Sequence, residues 1–172
     1  SGGFTPWPDY AEPWLHALGA TDVQSMDASS YEDASIVHDL NDPVPETLHG
    51  RFDAVIDGGT LEHVFNWPQA IANAMQMCRV GGSLFVSSPC NNHLGHGLWQ
   101  VSPALFHAVL TPENGFRIEE IALTVDRGRR SVWYRVADPR AVGGRVEATT
   151  RGWTILLVHA VRTADVVPFA RW

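Results

Sequence analysis

The residues best placed to do chemistry are Asp57, Glu62 and His63, within FDAVIDGGTLEHV at 52–64, and Cys90, Asn91, His93 and His96, within PCNNHLGHGLWQ at 89–100. A carboxylate accepts hydrogen bonds and attracts cations, and an imidazole near neutral pKa takes a proton from a hydroxyl or amine. His63 is the first candidate base and His96 the second, with Glu62 and His93 beside them. A zinc site from His63, His93 and His96 is chemically allowed. No metal is assigned from sequence, because a hydrogen-bonded loop histidine explains each of the three equally well.

Both stretches follow short apolar runs, and that places them. Ligands of open α/β sheets bind outside the carboxyl ends of the strands, so Asp57, Gly58, Gly59, Glu62, His63, Pro89, Cys90 and Asn91 are expected on one rim. The strands reading into that rim are 52–57 and 83–88, joined by a helix over 68–78 and a Gly81-Gly82 turn. Within that helix Ala70, Ile71, Ala74, Met75 and Cys78 fall on one face at helical spacing.

Upstream, YAEPWLHALG at 10–19 reads as a short helix closed by Gly19. Short strands follow at 23–26 and 35–38, each apolar run stopping on an acid, Asp27 and Asp39. Downstream, Ser102-Pro103 opens a helix through Leu110, and 116–126 and 153–162 read as two further strands. The connection 127–152 is too long for a tight hairpin and is expected to form a lid. Residues 1–9, with Pro6 and Pro8, form a lead-in segment whose Ser1-Gly2-Gly3 looks like a tag remnant. The whole, 1–172, is expected to be one α/β domain.

Composition narrows the function classes. With 172 residues, 45% hydrophobic and 18% charged, the chain suits one globular domain. It has no apolar run near the roughly 20 residues of a membrane helix and no basic-then-apolar amino terminus, so a cytoplasmic location and no membrane partner are expected. Two cysteines, Cys78 and Cys90, are too few for a disulfide framework. Lysine is absent, which excludes Schiff-base chemistry and a phosphate-loop lysine.

Charge is unevenly spread. Through residue 116 two arginines face thirteen acids, whereas from 117 onward ten arginines face six. The acidic part argues against a nucleic-acid partner, since affinity for phosphates comes from their neutralisation. The cluster Arg127, Arg129, Arg130 offers a local site for an acidic partner or a solvated charged turn. Phe65, Trp67, Trp99 and Trp133 could line an aromatic cavity or simply pack.

FDAVIDGGTLEHVFNWPQAIANAMQMCRVGGSLFVSSP resembles small-molecule methyltransferases: a strand starting Phe-Asp, then Leu-Glu-His-Val, a helix, a Gly-Gly turn and a strand ending at proline. DVQSMDASSYEDASIVHDLNDPVP looks like the second and third strands of the same family, the class I S-adenosylmethionine-dependent methyltransferases. The resemblance covers roughly residues 10–125. It implies a Rossmann-like sheet with flanking helices and methyl transfer from S-adenosylmethionine to an oxygen, nitrogen or carbon of a small molecule. By the same resemblance Asp27 would bind the ribose hydroxyls, Asp39 and the Leu40 backbone would meet the adenine, Asp57 and Gly58 would lie near the methionine portion and the substrate, and Gly59 would join them in holding the cofactor.

The chain departs from that pattern in two places. The family's first strand and glycine-rich loop should precede the helix at 10–19, where SGGFTPWPD stands instead. A sheet lacking or replacing that strand is therefore expected, with self-association through exposed sheet edges as compensation. Glu62 and His63 also resemble the Glu-His pair of ubiquinone-biosynthesis O-methyltransferases, where an acid three residues before the glutamate helps hold a divalent metal. That position is Gly59 here, so the pattern lacks a ligand. Two other readings follow: a methyltransferase-like module that binds without catalysing, and a metal-dependent enzyme built on the histidines.

Overall fold

The computed structural model describes residues 10–30, 33–126 and 131–170; the lead-in segment and the Arg127, Arg129, Arg130 cluster lie outside these. The chain divides into two compact units, residues 1–39 and 40–172.

The first unit contains helix α1 (Glu12–Ala17), with Pro13 in its first turn, where the absent N–H costs no hydrogen bond. Gly19 follows at φ 101°, a conformation that glycine adopts without strain, and its N–H donates to the His16 carbonyl. Strands β1 (Met26–Asp27) and β2 (Ile36–Val37) pair in parallel, Met26 opposite Ile36.

The second unit is a five-stranded sheet with helices: β3 (Phe52–Asp57), α2 (Trp67–Met77), β4 (Cys78–Asn91), α3 (Pro103–Val109), β5 (Phe116–Asp126), β6 (Ser131–Arg135), α4 (Pro139–Val142) and β7 (Thr154–Arg162). The strand order is β3-β4-β7-β5-β6. β3 and β4 run parallel, as a crossover through α2 requires, and the remaining neighbours are antiparallel. The expected α/β architecture is present. β3 is an edge strand, and no strand pairs with its outer side among the described residues.

Alternation in the sequence decides which face is covered. Along β7 every second residue is buried, placing Leu156, Val158 and Ala160 in one core with Leu84 and Val86 of β4. Onto this layer pack Ile71 and Met75 of α2 and Phe106 of α3, all fully buried. The opposite face is half-exposed, and there Phe85 stacks on His159 with ring centroids 4.5 Å apart. No helix among the described residues is long and apolar enough to cross a membrane.

Two buried polar side chains hold the parallel unit together. Arg162, 5% exposed, donates to the carbonyls of Gln76 (3.1 Å) and Cys78 (2.6 Å), satisfying acceptors that the end of α2 leaves without intrahelical partners. Asn73 of α2, fully buried, donates to the carbonyls of Leu40 (3.1 Å) and Asp42 (2.8 Å) and accepts from the Val44 N–H (3.1 Å). Segment 40–44 is thereby fixed to the helix.

The segment read as a lid does two things. Its first described part forms β6, which pairs with β5 through Leu123 opposite Tyr134 and Thr124 opposite Trp133. The rest, with α4 capped by the Asp138 carboxylate at the Arg140 N–H, leads back to β7.

Candidate functional site

The carboxyl ends of β3 and β4 lie side by side, Asp57 in register with Val86. After Asp57 the chain turns through Gly58 and Gly59 into a 3-10 turn, Leu61–His63, that presents Glu62 and His63. After Asn91 the β4 chain enters the loop carrying His93 and His96. The two segments are tied by backbone: the Glu62 carbonyl accepts from Leu98 (2.9 Å) and Trp99 (3.1 Å), and the Trp99 indole donates to the Val64 carbonyl (2.9 Å).

Asp57 is 8% exposed. Its Oδ1 accepts from the N–H groups of Thr60 (2.9 Å) and Leu61 (3.2 Å), while Oδ2 is buried without a hydrogen-bond partner. Burial pushes its carboxyl up to about 6, against the lowering effect of the backbone hydrogen bonds, and Glu62 adds to the rise.

Glu62 is 1% exposed, and its Oε2 likewise has no partner. Its Oε1 lies 3.5 Å from His96 Nε2. The His63 and His96 rings are 5.4 Å apart by centroid, and His93 is 5.5 Å from His96 and 5.5 Å from the Trp153 indole. His93 Nε2 is also buried and unpaired. Burial, with His96 beside it, lowers the His93 pKa, against the raising effect of Glu62. Donor atoms of Glu62, His63 and His96 all fall within 4.8 Å of one another.

The four residues read from sequence as catalytic, Glu62, His63, His93 and His96, are thus neighbours in space. Among the residues assigned to the cofactor, Asp57, Gly58 and Gly59 belong to this rim, and the Leu40 backbone is held by Asn73. Asp27 and Asp39 belong to the first unit. There the Asp27 Oδ1 accepts from the Ser29 N–H (2.7 Å) and hydroxyl (2.9 Å), a turn that closes the strand.

Sequence reasoning did not single out Asn92. At φ 61°, it donates to the Thr150 carbonyl (3.1 Å) and the Gly152 carbonyl (2.8 Å), joining the histidine loop to the segment before β7. Asn-specific tolerance of positive φ was the only available signal. Next to this junction lies a cavity of about 610 Å³ lined by Cys90, Asn91, Ser102, Tyr134 and Thr154.

No protein-family model and no curated protein matches the chain. Solved structures similar to it include the antibiotic-resistance methyltransferase Kmr (18% identity, TM-score 0.41, covering 76% of this chain and 62% of that one). They also include a tryptophan-to-alanine mutant of the 16S rRNA (adenine(1408)-N(1))-methyltransferase of Catenulisporales acidiphilia, with cosubstrate SAM (17% identity, TM-score 0.42, 78% and 62%). An aspartate-to-alanine mutant of the same enzyme matches with 17% identity, TM-score 0.40, and coverage of 75% and 61%. The chain spans about three fifths of the length of these proteins.

These matches correct one expectation. Against the expectation of nucleic acid as an unlikely partner and a small molecule as the substrate, two of the similar structures are of an enzyme named for 16S rRNA. Overall charge does not exclude local recognition of phosphates: ten of the twelve arginines lie beyond residue 116.

Proposed function

We propose that this chain is a methyl-transferring domain that uses S-adenosylmethionine, with the rim of β3 and β4 meeting the cationic end of the donor. The observation that carries this reading is Asp57, a buried carboxylate with one oxygen pinned by two backbone N–H groups and the other left unpartnered. An unsatisfied buried acceptor costs about 1–3 kcal/mol, more when charged, and a cationic ligand offsets that cost. S-adenosylmethionine, when bound, supplies an electrophilic methyl carbon on a sulfonium, together with an α-ammonium group.

Each chain element has a matching task. Asp57 accepts from the ammonium, and the Leu40 to Val44 backbone, held by Asn73, presents its remaining polar groups to the base. His93, whose neutral form burial favours, takes the proton that the acceptor loses as it is alkylated. Alignment of nucleophile, carbon and sulfur supplies most of the remaining rate.

Ligand-induced thermal stabilisation by S-adenosylhomocysteine tests the assignment. Asp57→Asn is expected to weaken binding at least ~10-fold while the circular dichroism spectrum is unchanged. Equal stabilisation of the variant and the parent would show that the donor binds elsewhere.

A further inference from the structure

We propose that Glu62, His63 and His96 form a three-donor site for a divalent transition-metal ion, with zinc the expected occupant. The inference rests on the donors' geometry and stands apart from the methyl-transfer reading.

Three observations support it. First, the donor atoms converge: Glu62 Oε1 and His96 Nε2 are 3.5 Å apart, and all three donors lie within 4.8 Å. Two ligands of a tetrahedral zinc ion, each bonded at about 2.0–2.1 Å, are separated by about 3.3 Å. The first pair is therefore already at ligand spacing, and a rotamer adjustment of the exposed His63 closes the set.

Second, the carboxylate is buried without enough partners. Glu62 is 1% exposed and its Oε2 accepts no hydrogen bond. His96 at 3.5 Å approaches one oxygen only, whereas a bound dication neutralises the whole group.

Third, the backbone holds Glu62 in place. Its carbonyl accepts from Leu98 and Trp99, so the turn after β3 and the loop after β4 are fastened together where their donors meet. A site built across two fixed segments loses little conformational entropy on binding.

The donor set differs from the acid, acid and histidine of the ubiquinone-biosynthesis enzymes. Gly59 offers no carboxylate, and the third donor comes from a separate loop. Two imidazoles and a carboxylate suit zinc and leave a position open, as catalytic zinc sites do.

The test is titration of Zn²⁺ into the untagged, chelator-stripped 172-residue chain, read by competition with a chromogenic chelator. One ion per chain is expected at micromolar affinity or better. His96→Ala, whose side chain is 54% exposed, should weaken binding at least ~100-fold, as should Glu62→Gln. His159→Ala, stacked on Phe85 on the open face of the sheet, should leave it unchanged. Co²⁺ should give the strong visible bands of a low-coordinate site in the parent and lose them in His96→Ala. Absence of Zn²⁺ binding by the folded parent, or full retention of it by folded His96→Ala, would overturn the proposal. Neither result bears on S-adenosylhomocysteine binding, so the two readings fail separately.

Discussion

Gly97 packs directly against Glu62: a Cβ at position 97 would lie 3.0 Å from both the Cγ and the carbonyl oxygen of Glu62. The loop after β4 thus closes over the buried carboxylate only because residue 97 has no side chain. Gly97→Ala is expected to destabilise the fold by about 1–3 kcal/mol, the usual cost of overpacking. Gly144→Ala, where a Cβ meets nothing within 4 Å, is expected to stay within about 0.5 kcal/mol of the parent. Urea unfolding of the two variants makes the comparison, and equal midpoints would contradict the packing described.

Asp57 makes stability depend on pH in an uncommon direction. Its carboxyl is raised from 3.8 to about 6 in the folded chain, so between these values the native state binds the extra proton. The contribution to stability is fully present below about pH 4 and is lost as pH rises through about 6. Above that, the ionised group costs the ligand-free fold on the order of 1–3 kcal/mol. Asp57→Asn should therefore be more stable than the parent at pH 8 and match it near pH 4. Urea midpoints across that range would show the difference, and parallel pH profiles would refute it.

Asn73 links stability to the site. Asn73→Ala leaves the Leu40 and Asp42 carbonyls and the Val44 N–H without their partner, a loss of roughly 2–4 kcal/mol. Val109→Ala in α3 serves as a core variant of similar cost. Only Asn73→Ala is expected to weaken S-adenosylhomocysteine binding, because only it frees segment 40–44. If both variants bind alike, the segment does not contact the ligand.

The central βαβ unit was legible in sequence because its periods are strong: β3 and β4 are apolar runs, and Ala70, Ile71, Ala74 and Met75 repeat at helical spacing. The histidine neighbourhood was legible for a topological reason, since carboxyl ends of parallel neighbours share a rim. The start of β4 was not. Gly81-Gly82 reads as a turn, yet Cys78 already pairs with Phe52 and a register shift absorbs the glycines. β6 was hidden because SVWYR needs β5 to define it. Nothing local marked Arg162 as buried, because its burial depends on the Gln76 and Cys78 carbonyls, more than 80 residues away. Glu62 read as a rim acid, but its burial comes from Gly97 closing over it, a long-range packing fact.

The most direct test of the central claim is isothermal titration of the 172-residue chain with S-adenosylhomocysteine. The account predicts one site per chain with micromolar affinity, weakened in Asp57→Asn. No detectable heat at several temperatures, from protein whose circular dichroism and cooperative unfolding show it folded, would contradict it.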